Sequence, residues 1–261
     1  MQQIINAILR NKTFILFITL LFLSLIFLRN RSLYHQSKFN KISIEFTGRL
    51  FNISASFKEY LNLKKTNEAL FYENKKLIEK KINSKEHLNE FNDLYHVFNG
   101  KIVKNSIKSS KNYLIINKGK KDSIYKEMGV ISSRGIIGVI SSVSKNYSSV
   151  ISVLNTDLQI NAKFKKNNAF GSLNWDGKKI NQLKLYDIPV INDVRIGDTI
   201  VTGGMSTYFP DGIFIGLVSN YSFIAGKGYY NIDVELNNSI GNEVNVYIIN
   251  NLNQLEIKNL E

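Results

Sequence analysis

Tyr230-Asn231-Ile232-Asp233-Val234-Glu235-Leu236 is the stretch that decides the fold class of this chain. Tyr230, Ile232, Val234 and Leu236 fall on one side of an extended backbone, and Asn231, Asp233 and Glu235 on the other. That two-residue period is the mark of a half-buried β-strand. Similar short runs surround it at Tyr113 to Asn117, Ile136 to Val143, Val150 to Leu154, Phe170 to Trp175, Gln182 to Tyr186, Gly216 to Tyr221 and Val244 to Ile249. Turn signals such as Lys118-Gly119, Asp176-Gly177, Gly203-Gly204 and Asp211-Gly212 punctuate them. Roughly a dozen short strands in about 165 residues favour two small barrels or a sandwich over one large sheet. Residues 95–261 are therefore expected to be all-β, in two barrel-like subdomains, and no repeat regular enough for a solenoid or propeller is present.

Upstream the composition changes. Only one of the 16 glycines, Gly48, and neither of the two prolines precedes residue 96, which sets a boundary near Tyr95. Residues 53–94 contain neither type and suit a helix. Leu63, Leu70 and Leu77 recur at one heptad position, and Phe91 returns to it after Ser84 breaks the run. The companion position holds Ile53, Tyr60, Asn67, Asn74, Lys81 and Leu88. Asparagine there weakens a coiled coil but favours a parallel dimer in which Asn67 and Asn74 pair with their counterparts. The same stretch also suits a helix packed against its own β-domain, with the polar positions exposed.

Thr13 to Leu28, TFILFITLLFLSLIFL, is an uncharged run of 16 residues between Arg10 and Lys12 on one side and Arg29 and Arg31 on the other. It reads as a single transmembrane helix. Its length of about 24 Å falls slightly short of a hydrocarbon core of about 30 Å, a gap that snorkelling Arg and Lys stems close. No small-x-small cleavage site follows the run, so an uncleaved anchor is preferred to a signal peptide. Positive charge on both flanks slightly favours keeping the large domain inside, although long domains cross despite such charges. Residues 32–52 form a juxtamembrane linker.

Apolar residues at 44% and charged residues at 21% suit a folded chain rather than a disordered one. The net charge of +13 is spread along the chain, 15 basic to 8 acidic residues before position 96 and 19 to 13 from there on. A spread excess describes a solvated basic surface, and no recognition motif accompanies it that would point to nucleic acid. The absence of cysteine excludes disulfides, thiolate metal sites and cysteine nucleophiles.

Two motif clusters in the β-region resemble the family of rod shape-determining MreC proteins. The first is Tyr113-Leu114-Ile115-Ile116-Asn117-Lys118-Gly119, followed by Gly129-Val130-Ile131 and Gly135-Ile136-Ile137-Gly138-Val139-Ile140. The second is Ile196-Gly197-Asp198-Thr199-Ile200-Val201-Thr202-Gly203-Gly204, then Phe209-Pro210-Asp211-Gly212-Ile213-Phe214-Ile215-Gly216-Leu217-Val218. Ser123 departs from the pattern where a glycine often follows the Asp of the first turn, and Phe214 replaces a frequent proline. The resemblance implies a scaffold for lateral cell-wall synthesis, with residues 1–31 supplying a cytoplasmic tip and anchor and the β-domain in the periplasm or wall. It also implies the partners MreB, MreD, RodA and a class B penicillin-binding protein. A periplasmic adaptor of an export pump is the alternative, disfavoured because the helical stretch is single and all recognisable β-sequence follows it.

The family's β-region resembles the double barrel of chymotrypsin-like proteases, which raises the question of catalysis. Serine chemistry needs a base, usually His, and the only histidines are His35, His87 and His96, two of them upstream of the β-domain. Neither an enzyme, a metal nor a cofactor is expected. Asp193, Asp198 and Asp211 adjoin glycines or turns and are read as turn formers. Gly119, Gly138, Gly197, Gly203, Gly204, Pro210, Gly212 and Gly216 are read as structural positions. Tyr208, Phe209 and Phe214 form either core or an exposed partner patch, and dimerisation is assigned to Leu63, Asn67, Leu70, Asn74 and Leu77.

Overall fold

In the strand β11, Tyr229–Leu236, residues Ile232, Val234 and Leu236 are buried and Glu235 is exposed, as the alternation requires. The computed structural model describes residues 11–31, 58, 62–84, 94–224, 226, 228–237 and 240–260. It divides into two units, residues 1–67 and 68–261.

In the first unit α1 spans Lys12–Arg31. Among the described residues no helix is long and apolar enough to cross a membrane. The expected linker 32–52 and the heptad residues Ile53, Tyr60, Leu88 and Phe91 lie outside the described residues, as do His35 and His87.

The second unit holds two closed six-stranded barrels. Barrel 1 has the order β1-β12-β3-β4-β5-β2 and barrel 2 the order β10-β11-β8-β7-β6-β9. The strands of barrel 1 are β1 Tyr95–Asn105, β2 Lys111–Ile116, β3 Gly129–Ser132, β4 Gly135–Val143, β5 Ser148–Asn155 and β12 Asn245–Asn251. Barrel 2 comprises β6 Ile160–Phe164, β7 Phe170–Asn174, β8 Gln182–Pro189, β9 Thr199–Thr202, β10 Phe214–Ile224 and β11. Barrel 2 is thus inserted between the fifth and the closing strand of barrel 1. Every pairing is antiparallel, and β12 joins β1 through Tyr95↔Asn251 to Lys101↔Asn245.

Each barrel is filled by one alternating set of side chains. Val97, Leu114, Ile116, Val130, Ile136, Val150 and Ile248 are fully or almost fully buried in barrel 1, and Phe164, Leu173, Leu183, Leu185, Ile200, Ile215 and Val234 in barrel 2. The outer face of barrel 2 carries the cross-strand ion pair of Lys184 and Asp233, whose hydrogen bond holds the lysine above its ordinary value. β12 departs from the half-buried pattern, because Val246, Tyr247, Ile248 and Ile249 are all buried. A strand covered on both faces reads as a continuous apolar run. The cover comes from helical residues 68–84 (the second-unit part of α2, residues 62–84), where Phe71 places its ring 4.9 Å from that of Tyr247.

Candidate functional site

Two surfaces stand out among the described residues, and the first is built on α2. Phe71 and Ile78 pack half-buried on barrel 1, and Ile82 and Asn83 are buried. Asn83 acts as a mock strand residue: its Nδ2 donates to the Tyr95 carbonyl at 3.0 Å and its Oδ1 accepts the Tyr95 N–H at 3.0 Å. One turn earlier, Glu79 Oε1 accepts the Val97 N–H at 3.0 Å and lies 2.7 Å from His96 Nδ1. The helix therefore packs against its own β-domain, the second of the two arrangements expected. Leu63, Leu70 and Leu77 remain 65%, 52% and 64% exposed, with Asn67, Asn74 and Lys81 also exposed. The leucine row is left uncovered because docking uses a different stripe of the helix.

The second surface is the hairpin end of barrel 2. β10 pairs with β9 only at Phe214, Gly216 and Leu217, but with β11 as far as Ile224↔Tyr229. Beyond Leu217 its outer edge carries no further strand among the described residues. Phe223 is 58% exposed there. Tyr221 and Tyr229 are exposed too, and the Tyr221 and Tyr230 rings meet edge-on at 5.7 Å. The segment after β8 borders the hairpin: the Val190 N–H donates to the Gly228 carbonyl at 3.0 Å and the Gly197 N–H to the Val218 carbonyl at 2.8 Å. It adds the exposed Ile191 and Ile196. The sequence carries a signal for this surface, since Tyr221, Phe223, Tyr229 and Tyr230 gather on both sides of Gly226 and Gly228.

Among the described residues no group of three His, Cys, Asp or Glu side chains is arranged to hold a metal ion. His96, the one histidine among them, faces Glu79. A model of the barrel core of the rod shape-determining protein MreC matches residues 102–250, more than half of the 261 residues. The chain belongs to the MreC family. It is 28% identical over 127 residues to the cell shape-determining protein MreC of Listeria monocytogenes, a match covering 48% of this chain and 43% of that protein. It is 27% identical over 116 residues to MreC of Escherichia coli, covering 44% and 31%. The matches thus span less than half the length of these curated relatives. The solved Listeria MreC structure superposes with a TM-score of 0.57 at 22% identity, over 79% of this chain and 94% of that one. At that identity the likeness is one of fold.

The MreC motif residues sit where strands and barrels meet. At Gly138, a Cβ would stand 2.0 Å from the Ile151 carbonyl oxygen of the neighbouring strand. Gly119, Gly203 and Gly216 are similarly crowded, at 2.6, 1.9 and 2.1 Å from their nearest neighbours. Gly197, Gly204 and Gly212 instead have φ of +89°, +77° and +78°, a region in which side chains are strained. Asp198 closes its turn by accepting the Arg195 N–H at 2.7 Å and pairing with Lys166 at 2.7 Å. Pro210 is buried, and its carbonyl accepts the Thr202 hydroxyl at 2.6 Å. Thr202 Oγ1 in turn accepts the Ile213 N–H at 2.9 Å, a link that the motif alone did not single out. Phe209 is only 1% exposed and lies against Gly129, so its ring is core between the barrels rather than surface. Tyr208 and Phe214 are half-buried.

Proposed function

We propose that this chain is a membrane-anchored, non-enzymatic scaffold that organises the cell-wall elongation complex and maintains rod shape. The observation that carries the reading is the hairpin end of barrel 2, where exposed Tyr221, Phe223 and Tyr229 adjoin the strand edge of β10 that β9 leaves uncovered. Apolar surface beside free backbone donors and acceptors is what a partner chain covers. Catalysis instead calls for convergent titratable groups.

The anchor is Thr13–Leu28, with the preceding residues in the cytoplasm and the barrels in the periplasm. Residues 53–94 hold two copies together through Leu63, Asn67, Leu70, Asn74 and Leu77, a reading supported by the exposure of the leucine row. Two copies present every docking surface twice and raise avidity. Family resemblance supports a class B penicillin-binding protein, RodA, MreD and MreB as partners. Tyr208 and Phe214, both half-buried, contribute further contact area away from the hairpin end.

The test is to solubilise the tagged full-length protein in mild detergent and identify co-purifying membrane proteins by mass spectrometry. A penicillin-binding protein, RodA or MreD is the expected catch, lost in Phe223→Asp, which alters an exposed side chain. A transporter and an outer-membrane channel in their place would overturn the reading in favour of an export adaptor.

A further inference from the structure

A concavity lies within the second unit, apart from the hairpin end. α2, the β3–β4 turn of barrel 1 and the β9–β10 side of barrel 2 enclose a groove of about 680 Å³. Its floor is apolar: Ile82, Ile131 and Val201 are buried, and Ile78, Ile213 and Phe214 are half-buried. Its rim is cationic. Lys81, Arg134 and Lys165 come from the helix, barrel 1 and barrel 2 in turn, all exposed, and none of them ion-pairs with a described residue. The one carboxylate in the lining, Asp211, is already held by Lys163 at 2.8 Å.

We propose that this groove binds a short segment of a partner protein that carries carboxylates beside apolar side chains, the apolar ones on the floor and the carboxylates against Lys81, Arg134 and Lys165. The inference rests on the scaffold reading and names the chemistry of one of its partners. Charge complementarity selects the occupant, because three cations from three separate elements repel a basic ligand and attract an acidic one. A second copy of a chain with net charge +13 is a poor match for such a rim. A lipid surface is flat, whereas the apolar residues lie at the bottom of a cleft that a single extended or helical segment can enter.

A photo-crosslinking amino acid in place of Ser133, an exposed residue of the lining, tests this in cells that carry the full-length chain as their only copy. The crosslinked peptide is identified by mass spectrometry. The expected product is a partner segment with at least two carboxylates next to apolar residues. Its yield should fall about tenfold in Arg134→Glu/Lys165→Glu and hold in Lys145→Glu/Lys178→Glu, which makes the same charge change at exposed sites elsewhere. No adduct, a lipid adduct, a second copy of this chain, a segment without carboxylates, or a yield indifferent to the reversal would each overturn the proposal. An acidic segment from a transporter would uphold the groove's chemistry and overturn the scaffold reading.

Discussion

A single added methyl group separates two reasons for glycine. At Gly138 it would press on the Ile151 carbonyl oxygen across a β4–β5 pairing that cannot open without loss of ladder bonds, so Gly138→Ala should cost about 3 kcal/mol, the upper range of overpacking. At Gly197 nothing lies within 4 Å and only the φ of +89° objects, so Gly197→Ala should cost about 1 kcal/mol. Thermal melts of both variants check the contrast. Ser123 is the reverse case, a side chain at φ +60° where the family pattern often has glycine. Ser123→Gly should raise the melting temperature by about 2–4 °C. Beside it, the Lys118 ammonium at 2.7 Å and the Gly119 N–H at 3.1 Å hold the Asp122 carboxyl below its ordinary 3.8. A carboxyl depressed by folding contributes stability that is present above the ordinary value and is lost as pH falls through the folded one. Asp122→Asn should therefore lower the melting temperature at neutral pH, with the difference from wild type shrinking as pH falls below the ordinary 3.8. The motif exposed these glycines to sequence reading, but the carbonyl that forbids a side chain at Gly138 belongs to a residue thirteen positions away.

Helix α2 docks on barrel 1 through one stripe and is proposed to pair two copies through another, and the two can be disabled separately. Leu70→Asp/Leu77→Asp changes only exposed positions and should shift the melting of the β-domain by no more than about 0.5 kcal/mol while abolishing dimers in sedimentation. A double variant that still dimerises identically would move the interface into the barrels. Asn83→Ala should do the opposite, costing about 2 kcal/mol through two hydrogen bonds to Tyr95 with the leucine row untouched. Hydrogen exchange at Tyr95 reads the loss. The leucine row was legible because a seven-residue repeat of one residue type stands out in any sequence. The docking stripe of Phe71, Ile78 and Ile82 was hidden by that stronger signal, and Asn83 by having no periodic partner at all. Among the strands, β1 went unread because Asn99-Gly100 has the form of a turn. It continues as a strand because Gly100 lies opposite Val246 and close to the Ile248 side chain, where a larger residue would crowd them. β6 and β9 are too short, at 5 and 4 residues, to establish a period.

At the scale of the molecule, two barrels were legible from strand number and turn spacing, whereas the assignment of strands to barrels was not, since pairing between β1 and β12 bridges most of the chain. That topology predicts unequal autonomy. All hydrogen-bonded strand partners of β6 to β11 lie within residues 160–236, so this segment expressed alone should fold and melt cooperatively. A chain ending at Leu236 should keep barrel 2 and lose protection from hydrogen exchange in β1 and β3, the two strands that β12 joins. During synthesis barrel 2 is complete while barrel 1 still waits for its clasp, and the seat for Phe71 on Tyr247 arrives with that same strand. Any product interrupted before Asn245 therefore bears two raw sheet edges and a Phe71 ring without its Tyr247 seat, surfaces that invite aggregation and proteolysis. β12 thus certifies length: the molecule tests whether its own translation ran far enough before barrel 1 closes.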